Sequence, residues 1–338
     1  QGVLAHLMRA SASGAPGVIT HVGLHTFVDP RLEGGKINKI TTEDLVQNME
    51  LSGREYLFYK SLPIDVGIIR GTSIDKEGNL SMEEEVGSFS MLSIAQAAKV
   101  NGGIVIAQIK NKKDVHFSPG NVKVPGVFID YVILVPEQTM TFLSAFDPSL
   151  VQRDVPFEQE ELSLEGIKRI ISRRAALELR KNSFVNLGYG MPDGVPIVAQ
   201  MEGFAHRLVF MIEQGAIGGI PTAGLNFGAM HNPSAIIDDG YQFDFFQGGG
   251  LDICFLGFAQ IDQFGNVNSS RFGETITGCG GSIDISQNAK KVVYCGSFAV
   301  KSEQEIKDGE LKIKYPGKFK KFVKQVQQVS FSGQYAVL

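Results

Sequence analysis

Short apolar runs alternate with helix-like segments along both halves of this chain. The runs typical of β-strands lie at 65–69, 104–108, 131–135, 184–187 and 208–212. The segments that predict α-helices lie at 41–49, where Thr41 or Thr42 would cap the helix, at 91–100 and at 164–180. Alternation of this kind is typical of α/β architecture with mostly parallel sheets. The pattern therefore predicts an α/β fold in each half.

One part of this pattern occurs twice. Residues 65–80 and residues 252–267 both combine an apolar run with a closing D-x-x-G-N turn, and every shared landmark is offset by 187 positions. A single repeat of that length indicates two copies of one domain. The second copy carries Gly248-Gly249-Gly250 just before its strand, where the first carries no glycine. Because glycine is used where the backbone approaches another group closely, we expect the second copy to carry the function.

The length of 338 residues agrees with two domains. We predict a first domain over 1–147, a linker rich in charge over 148–162, and a second domain over 163–338. Residue 1 is glutamine rather than methionine, and the chain stops inside an apolar run. The first copy also has fewer residues ahead of its strand than the second. We therefore expect the start of the first domain and the end of the second to be missing.

Composition narrows the class of protein. The net charge of −4 gives no electrostatic attraction to nucleic acid or to an anionic membrane. The apolar runs are interrupted well before the roughly 20 residues that a membrane helix needs. The three cysteines show no C-x-x-C spacing and the six histidines show no metal-ligand spacing, so no metal site is predicted. The expected location is the cytoplasm, with Cys254 and Cys295 as buried thiols.

Glu213 is the outstanding candidate for chemistry. It follows the apolar run 209–212 and precedes a glycine-rich loop, so it is expected at the carboxyl edge of a sheet. A carboxylate in that position can attack a carbonyl group as a nucleophile. From the residues alone, a glutamate at the end of a strand that points to solvent is an equally good interpretation.

Three further features could contribute to a site. The amides of Gly249 and Gly250 could stabilise an oxyanion, although a tight turn explains the same glycines. Gly188 and Gly190 follow a predicted strand, where ligands bind in parallel sheets. They do not form a dinucleotide fingerprint, because position 193 is Asp. Gln108 ends another predicted strand and could meet a ligand between the domains.

Six segments resemble the family I coenzyme A transferases, and together they span essentially the whole chain. They are TFVDPR at 26–31, GGIVIAQ at 102–108, EQGAIGGIP at 213–221, GGGLD at 248–252, AQIDQFGNVN at 259–268 and ISQNAKKVVYCG at 285–296. The chain is most similar to the acetate/propionate-type enzymes, which are short-chain acyl-CoA:carboxylate CoA-transferases with both domains in one polypeptide.

The resemblance implies two similar open α/β domains of the CoA transferase-like fold, with the active site at their interface. It also implies ping-pong chemistry on Glu213, through an acyl-glutamyl anhydride and a glutamyl-CoA thioester. Gly249 and Gly250 would match the oxyanion-stabilising loop, and the loop from Gly188 would border the pocket. Acyl-CoA and a short-chain acid such as acetate, propionate, butyrate or acetoacetate would be the substrates. No cofactor is implied, since coenzyme A is itself a substrate, and a homo-oligomer is expected.

Two other classes of function stay open at this point. An acyl-CoA hydrolase on the same fold would let water intercept the glutamyl intermediate, and the sequence does not reveal how well the pocket excludes water. A non-catalytic CoA-binding or assembly subunit is the second alternative, because the chain is expected to lack both ends. A sugar-phosphate isomerase on a related fold would need a phosphate loop, and none stands out.

Overall fold

The computed structural model describes residues 1–157 and 164–335. The first half contains α1 (Gly2–Ala12), β1 (Gly17–Thr20), β2 (Val46–Leu51), β3 (Arg54–Lys60), β4 (Val66–Arg70), α2 (Met91–Val100), β5 (Ile104–Ile109) and β6 (Tyr131–Leu134). The second half contains α3 (Gly166–Ala176), β7 (Phe184–Leu187), α4 (Gly194–Met201), β8 (Val209–Phe210), α5 (Asp239–Gln247), β9 (Ile253–Gly257), α6 (Ser282–Ser286), β10 (Val292–Cys295), β11 (Glu303–Lys307) and β12 (Glu310–Tyr315).

Each half has a parallel sheet at its centre, as the sequence predicts. The first sheet has the strand order β4-β5-β6, and the second has the order β8-β7-β9-β10. Short pairs of two-residue strands surround them, all antiparallel except the parallel pair of Ser73–Ile74 with Asn111–Lys112. Those strands are Ser73–Ile74, Leu80–Ser81, Asn111–Lys112, Ala216–Ile217, Ile220–Pro221, Met230–His231, Ala235–Ile236, Gln260–Ile261, Val267–Asn268, Arg271–Phe272, Thr275–Ile276, Ala299–Val300 and Phe319–Lys320. The predicted α/β class with mostly parallel central sheets is confirmed.

The internal repeat extends to individual hydrogen bonds. In the first copy, one carboxylate oxygen of Asp75 accepts the backbone N–H groups of Glu77 and Asn79, both at 2.9 Å. In the second copy, Asp262 accepts the N–H groups of Phe264 and Asn266 at 2.9 and 3.1 Å. The strand register repeats as well. Gly67 pairs with Val105, and Cys254 pairs with Val292, so that both partners keep the offset of 187.

The two sheets differ in how one face is covered. In the second half, Ile253 and Phe255 on β9 are buried in a core that helices α3 and α4 share. Their counterparts on β4 are Val66 and Ile68, which are 49% and 70% exposed. Among the described residues, no counterpart of the α3-to-β8 unit covers this face of the first sheet. The domain boundaries and the opening unit expected ahead of the first domain stay predictions.

Most of the predicted elements are present, and one is wrong. The helix at 91–100 is α2, and the helix predicted at 164–180 is the shorter α3. The predicted helix at 41–49 does not form, since Val46–Leu51 is a strand that pairs antiparallel with β3. Ser52 and Gly53 both have positive φ between these strands, the conformation of a tight hairpin turn. Pairing with β3 therefore overrides the local preference of residues 41–49 for helix.

The two halves pack directly against each other. Ser90 at the start of α2 hydrogen-bonds Asp239 at the start of α5, with an oxygen–oxygen distance of 2.5 Å. The side chain of Gln287 accepts the N–H of Gly23 at 2.7 Å and donates to the carbonyl of His21 at 2.9 Å. These hydrogen bonds join the start of α2 to the start of α5, and the loop after β1 to the residue that follows α6.

Candidate active site

Glu213 lies just past the carboxyl end of β8, as predicted from the sequence. A tight turn holds it there, in which the N–H of Ile212 donates to the carbonyl of Ala216 at 2.9 Å. Gly215 in this turn has a φ of +111°, and a Cβ on it would lie 2.0 Å from the carbonyl oxygen of Ile237. The glycine that follows Glu213 is therefore required by the turn and by close backbone contact. The loop fixes the glutamate rather than leaving it mobile.

The Glu213 carboxylate is buried, which contradicts the interpretation of a solvent-facing strand end. The residue is only 7% exposed, and one of its carboxylate oxygens accepts a hydrogen bond from Asn186 at 3.3 Å. Burial raises the pKa of the Glu213 carboxyl above its ordinary value. Hydrogen bonds from its own backbone N–H and from the side chains of Asn186 and Gln214 oppose that shift. Desolvation is the larger effect, so charge on this carboxylate costs free energy in the folded protein.

Three side-chain amides surround the strand end that carries Glu213. Asn186 also donates to the carbonyl of Met211 at 2.9 Å, and Gln242 donates to the carbonyl of Ile212 at 3.1 Å. Within the described residues, the amide oxygens of Asn186, Gln214 and Gln242 are buried without a hydrogen-bond partner. Buried acceptors of this kind call for donors from a ligand or from water. Sequence reasoning missed Asn186, although a polar residue inside the apolar strand 184–187 is a visible signal.

Glu213 faces a cavity of ≈ 390 Å³, which we call the Glu213 cavity. Its lining residues come from the carboxyl ends of β7 and β9 and from loops of the second half. They are Gly188, Tyr189, Glu213, Phe227, Leu256, Gly257, Phe258, Ser269, Phe272, Cys279, Gly280, Gly281, Ser282 and Ile285. The lining residues include serines and glycines as well as aromatic and aliphatic side chains. The cavity therefore combines hydrogen-bonding groups with an apolar wall, as small-molecule sites do.

A second cavity, of ≈ 370 Å³, lies between the two halves, and we call it the Arg70 cavity. The residues that line it are Arg70, Met82, Glu85, Val86, Phe89, Met91, Thr139, Met140, Thr141, Phe142, Gln214, Leu225, Phe227 and Gly228. Phe227 lines both cavities, and its ring packs edge-to-face against that of Tyr189 with centroids 5.3 Å apart. The two cavities thus share Phe227 as a lining residue, and the adjacent residues Glu213 and Gln214 line one cavity each.

The structure brings only some of the predicted site residues together. Gly188 lines the Glu213 cavity, and its own N–H donates to the carbonyl of Phe255 at 2.7 Å. Gly190 lies two residues further on with a φ of +93°, and it lines neither cavity. Gln108 lines neither cavity, and its side chain donates to Gln138, which in turn donates to Glu85. Gln108 therefore supports the wall of the Arg70 cavity indirectly.

The structure does not bring Gly249 and Gly250 to Glu213. Their N–H groups donate to the carbonyls of Phe246 and Phe245 at 3.0 and 2.9 Å, which ends helix α5. Gly249 and Gly250 precede the amino end of β9, whereas Glu213 follows the carboxyl end of β8. Because these strands are parallel, the two glycines and the glutamate lie at opposite ends of the strands. Gly249 has a φ of +82°, as expected for a residue that ends a helix. The oxyanion role predicted for these two amides does not fit this position.

No metal or membrane feature emerges from the part of the chain that the structure describes. Residues 1–157 and 164–335 hold no group of three or more His, Cys, Asp or Glu side chains that could bind a metal ion. None of their helices has the length and apolarity needed to cross a bilayer.

Comparison with known proteins agrees with the fold. The profile of the Coenzyme A transferase family matches residues 1–134. The chain is 44% identical to a caffeate CoA-transferase of Acetobacterium woodii, over 99% of this chain and 66% of that protein. It is 42% identical to the acetate CoA-transferase YdiF of Escherichia coli K12, over 100% of this chain and 64% of that protein.

Solved structures give the same result. The apoenzyme of the acyl-CoA transferase YdiF from Escherichia coli O157:H7 superposes with a TM-score of 0.91 at 40% identity, over 99% of this chain and 64% of that one. A thioester complex of the same enzyme with CoA has a TM-score of 0.90. The chain spans about two thirds of the length of these relatives. Its sequence and its fold together show that the chain belongs to the coenzyme A transferase family.

Proposed function

We propose that this protein is an enzyme that transfers coenzyme A between short-chain acyl-CoA thioesters and free carboxylates, with Glu213 as the nucleophile. The observation that carries the proposal is a buried carboxylate at the carboxyl edge of a sheet, facing a cavity of ≈ 390 Å³. The similarity to an acetate CoA-transferase over the whole of this chain supports it. So does the existence of a CoA thioester complex for the related enzyme.

The chemistry proceeds by exchange of thioester and anhydride. A carboxylate oxygen of Glu213 attacks the thioester carbonyl carbon, and the carbon–sulfur bond breaks to release the CoA thiolate. The thiolate then attacks the glutamyl carbonyl of the resulting anhydride, and the acid leaves as a carboxylate. A second acid reverses these steps and departs as its CoA ester. Atoms and electrons balance without ATP, metal or redox cofactor, and coenzyme A acts as a substrate.

The surroundings of Glu213 suit this reaction. A carboxylate that has lost most of its water is more reactive toward a carbonyl carbon, and a dry site protects the anhydride from hydrolysis. Asn186 and Gln214 hold the carboxylate in one orientation through their side-chain amides. Because these amides are in place before the substrate binds, no free energy is needed to reorient them during the reaction.

Acceptor dependence separates a transferase from a hydrolase. We expect acetyl-CoA and propionate to yield propionyl-CoA and acetate, with little free CoA thiol formed when propionate is omitted. The reason is that Glu213 is buried, which limits the access of water to a thioester formed on it. Chromatography of the CoA esters, with a thiol assay on the same samples, measures both products. Steady release of thiol without any acceptor acid would favour the hydrolase instead.

Asn186→Asp should change the pH profile of the first half-reaction. A second carboxyl beside Glu213 would raise the pKa of Glu213 further, because two negative charges at hydrogen-bond distance repel. We expect the rate of adduct formation from acetyl-CoA at pH 7 to fall roughly 10-fold or more and to recover partly at higher pH. Rapid-quench measurements over a pH series test this. A uniform loss at every pH would mean that Asn186 contributes only to folding.

The cellular compartment and the oligomeric state of the enzyme are part of the same proposal. Cys254 and Cys295 are buried free thiols, which fits a reducing compartment such as the cytoplasm. We also propose a homo-oligomer as the assembled form. Static light scattering of the purified protein measures its mass in solution.

A further inference from the structure

The transferase reaction needs two separate spaces around one carboxylate. At the anhydride stage the acyl group is attached to Glu213 while the CoA thiol end is still present, so the acyl group and the CoA arm must occupy different places. Glu213 lines the Glu213 cavity, and Gln214, whose side chain hydrogen-bonds the Glu213 carboxylate, lines the Arg70 cavity. Phe227 lines both cavities. Each cavity is of the size that holds a small organic group.

The groups that line the two cavities differ in kind. The Glu213 cavity offers the hydroxyls of Ser269 and Ser282 and the backbone of Gly280 and Gly281. Such groups can hydrogen-bond the two amides of the pantetheine arm of coenzyme A. The Arg70 cavity is lined mainly by methionine, phenylalanine, leucine and valine side chains. Flexible methionines and aromatic rings adapt to apolar ligands of different shape, including aromatic ones.

Among the described residues that line the Arg70 cavity, the only cation is Arg70, and it is already paired. The guanidinium of Arg70 contacts both carboxylate oxygens of Glu85 at 3.1 Å. Glu85 is 6% exposed and also accepts a hydrogen bond from Gln138 at 3.1 Å. A second carboxylate placed in this cavity would face the negative charge of Glu85, and Arg70 is not available to neutralise it. The cavity therefore accepts an uncharged group and opposes an anionic one.

We propose that the Arg70 cavity holds the hydrocarbon part of the acyl group, and that the Arg70–Glu85 pair selects monocarboxylic acids, aromatic ones included, over dicarboxylic acids. This inference rests on the transferase activity proposed above. It assigns substrate selection to residues of the first half, whereas the nucleophile belongs to the second. Gln214 connects the two, since it lines the cavity and hydrogen-bonds Glu213.

The first test uses a larger side chain to reduce the volume of the Arg70 cavity. Acetyl-CoA is the donor, and the acceptors are isotopically labelled acetate, butanoate and 3-phenylpropanoate. Met82→Trp fills part of the apolar wall, so kcat/KM for 3-phenylpropanoate should fall roughly 10-fold or more relative to acetate. Val100→Trp is the control, because Val100 is 62% exposed at the end of α2 and lines neither cavity. Equal effects on all three acids, or no effect on any, would overturn the assignment.

The second test removes the negative charge that neutralises Arg70. Glu85→Gln keeps the shape of the side chain and leaves the Arg70 charge unpaired, so the ratio of kcat/KM for succinate to that for butanoate should rise roughly 10-fold. Glu84→Gln is the control, because Glu84 pairs with Lys110 at 2.6 Å outside the cavity. An unchanged ratio in Glu85→Gln would refute the selection mechanism. If the unmodified protein fails to exchange labelled acetate with acetyl-CoA, the transferase proposal itself fails.

Discussion

Glu213→Gln is expected to abolish the covalent intermediate and to lower the transfer rate by roughly four orders of magnitude or more, as for the loss of other enzymatic nucleophiles. In the unmodified protein, brief incubation with acetyl-CoA should add the mass of CoA less one water. This is the mass of a glutamyl-CoA thioester, and hydroxylamine should remove it. The neutral amide of glutamine has no carboxylate to attack the thioester, although its shape and burial are nearly the same. Intact mass spectrometry followed by peptide mapping locates the adduct.

The control for this experiment is Glu202→Gln. Glu202 is an exposed glutamate that forms a surface ion pair with Arg173 and lines neither cavity, so its variant should form the adduct as the unmodified protein does. Cys279 lines the same cavity as Glu213 and offers a competing nucleophile. Acylation of this thiol would add the mass of an acetyl group instead of CoA. An acetyl adduct that maps to Cys279, or a CoA adduct that survives in Glu213→Gln, would show that Glu213 is not the nucleophile.

Local sequence is sufficient to predict the position of Glu213 but not its burial. A four-residue apolar run followed by a glutamate and a glycine places the carboxylate at a strand end, whatever the rest of the fold does. Its surroundings include Asn186 from β7, which is 27 residues before Glu213, and the close contact between Gly215 and Ile237, which are 22 residues apart. Contacts of that range leave no periodic signal in one sequence.

The structure differs from the sequence predictions at two other places, and there the causes are local. The segment 41–49 contains good helix formers and a threonine cap, yet β3 recruits it into a hairpin through the turn at Ser52 and Gly53. Gly249 and Gly250 looked like ligand-binding backbone because their counterparts in the first copy are not glycine. The structure explains them by the end of helix α5, and a Cβ on Gly250 would lie 2.4 Å from the ring of Phe245. A helix end would have been the better interpretation of that glycine run.

The duplicated architecture explains why the site lies where it does. Ligands of parallel sheets bind at the carboxyl ends of the strands. Arg70 ends β4 in the first copy, and Glu213 follows β8 in the second, so the packing of the two halves brings both edges to the same pair of cavities. The nucleophile comes from one copy and the charge pair next to it comes from the other. Divergence of the two copies could thus place bond formation in the second half and substrate selection in the first.

The burial of Glu213 also predicts a dependence of stability on pH. Because burial raises its pKa in the folded protein, Glu213 binds its proton more tightly in the folded state than in the unfolded state. Below the unfolded pKa the carboxyl is protonated in both states, and glutamate and glutamine are then nearly equivalent. As the pH rises through the folded pKa, the native protein must hold a buried charge and loses stability. Glutamine at this position has no such penalty.

We therefore expect Glu213→Gln to be more stable than the unmodified protein at pH 8, by about 1–3 kcal/mol, and nearly equal to it at pH 4. Thermal unfolding at a series of pH values measures the difference, with Glu202→Gln as an exposed control that should show no such trend. A gain of stability together with loss of the covalent intermediate would mean that the fold carries a destabilising charge because the reaction needs it. A difference that is constant with pH, or a variant that is less stable at pH 8, would contradict the raised pKa of Glu213.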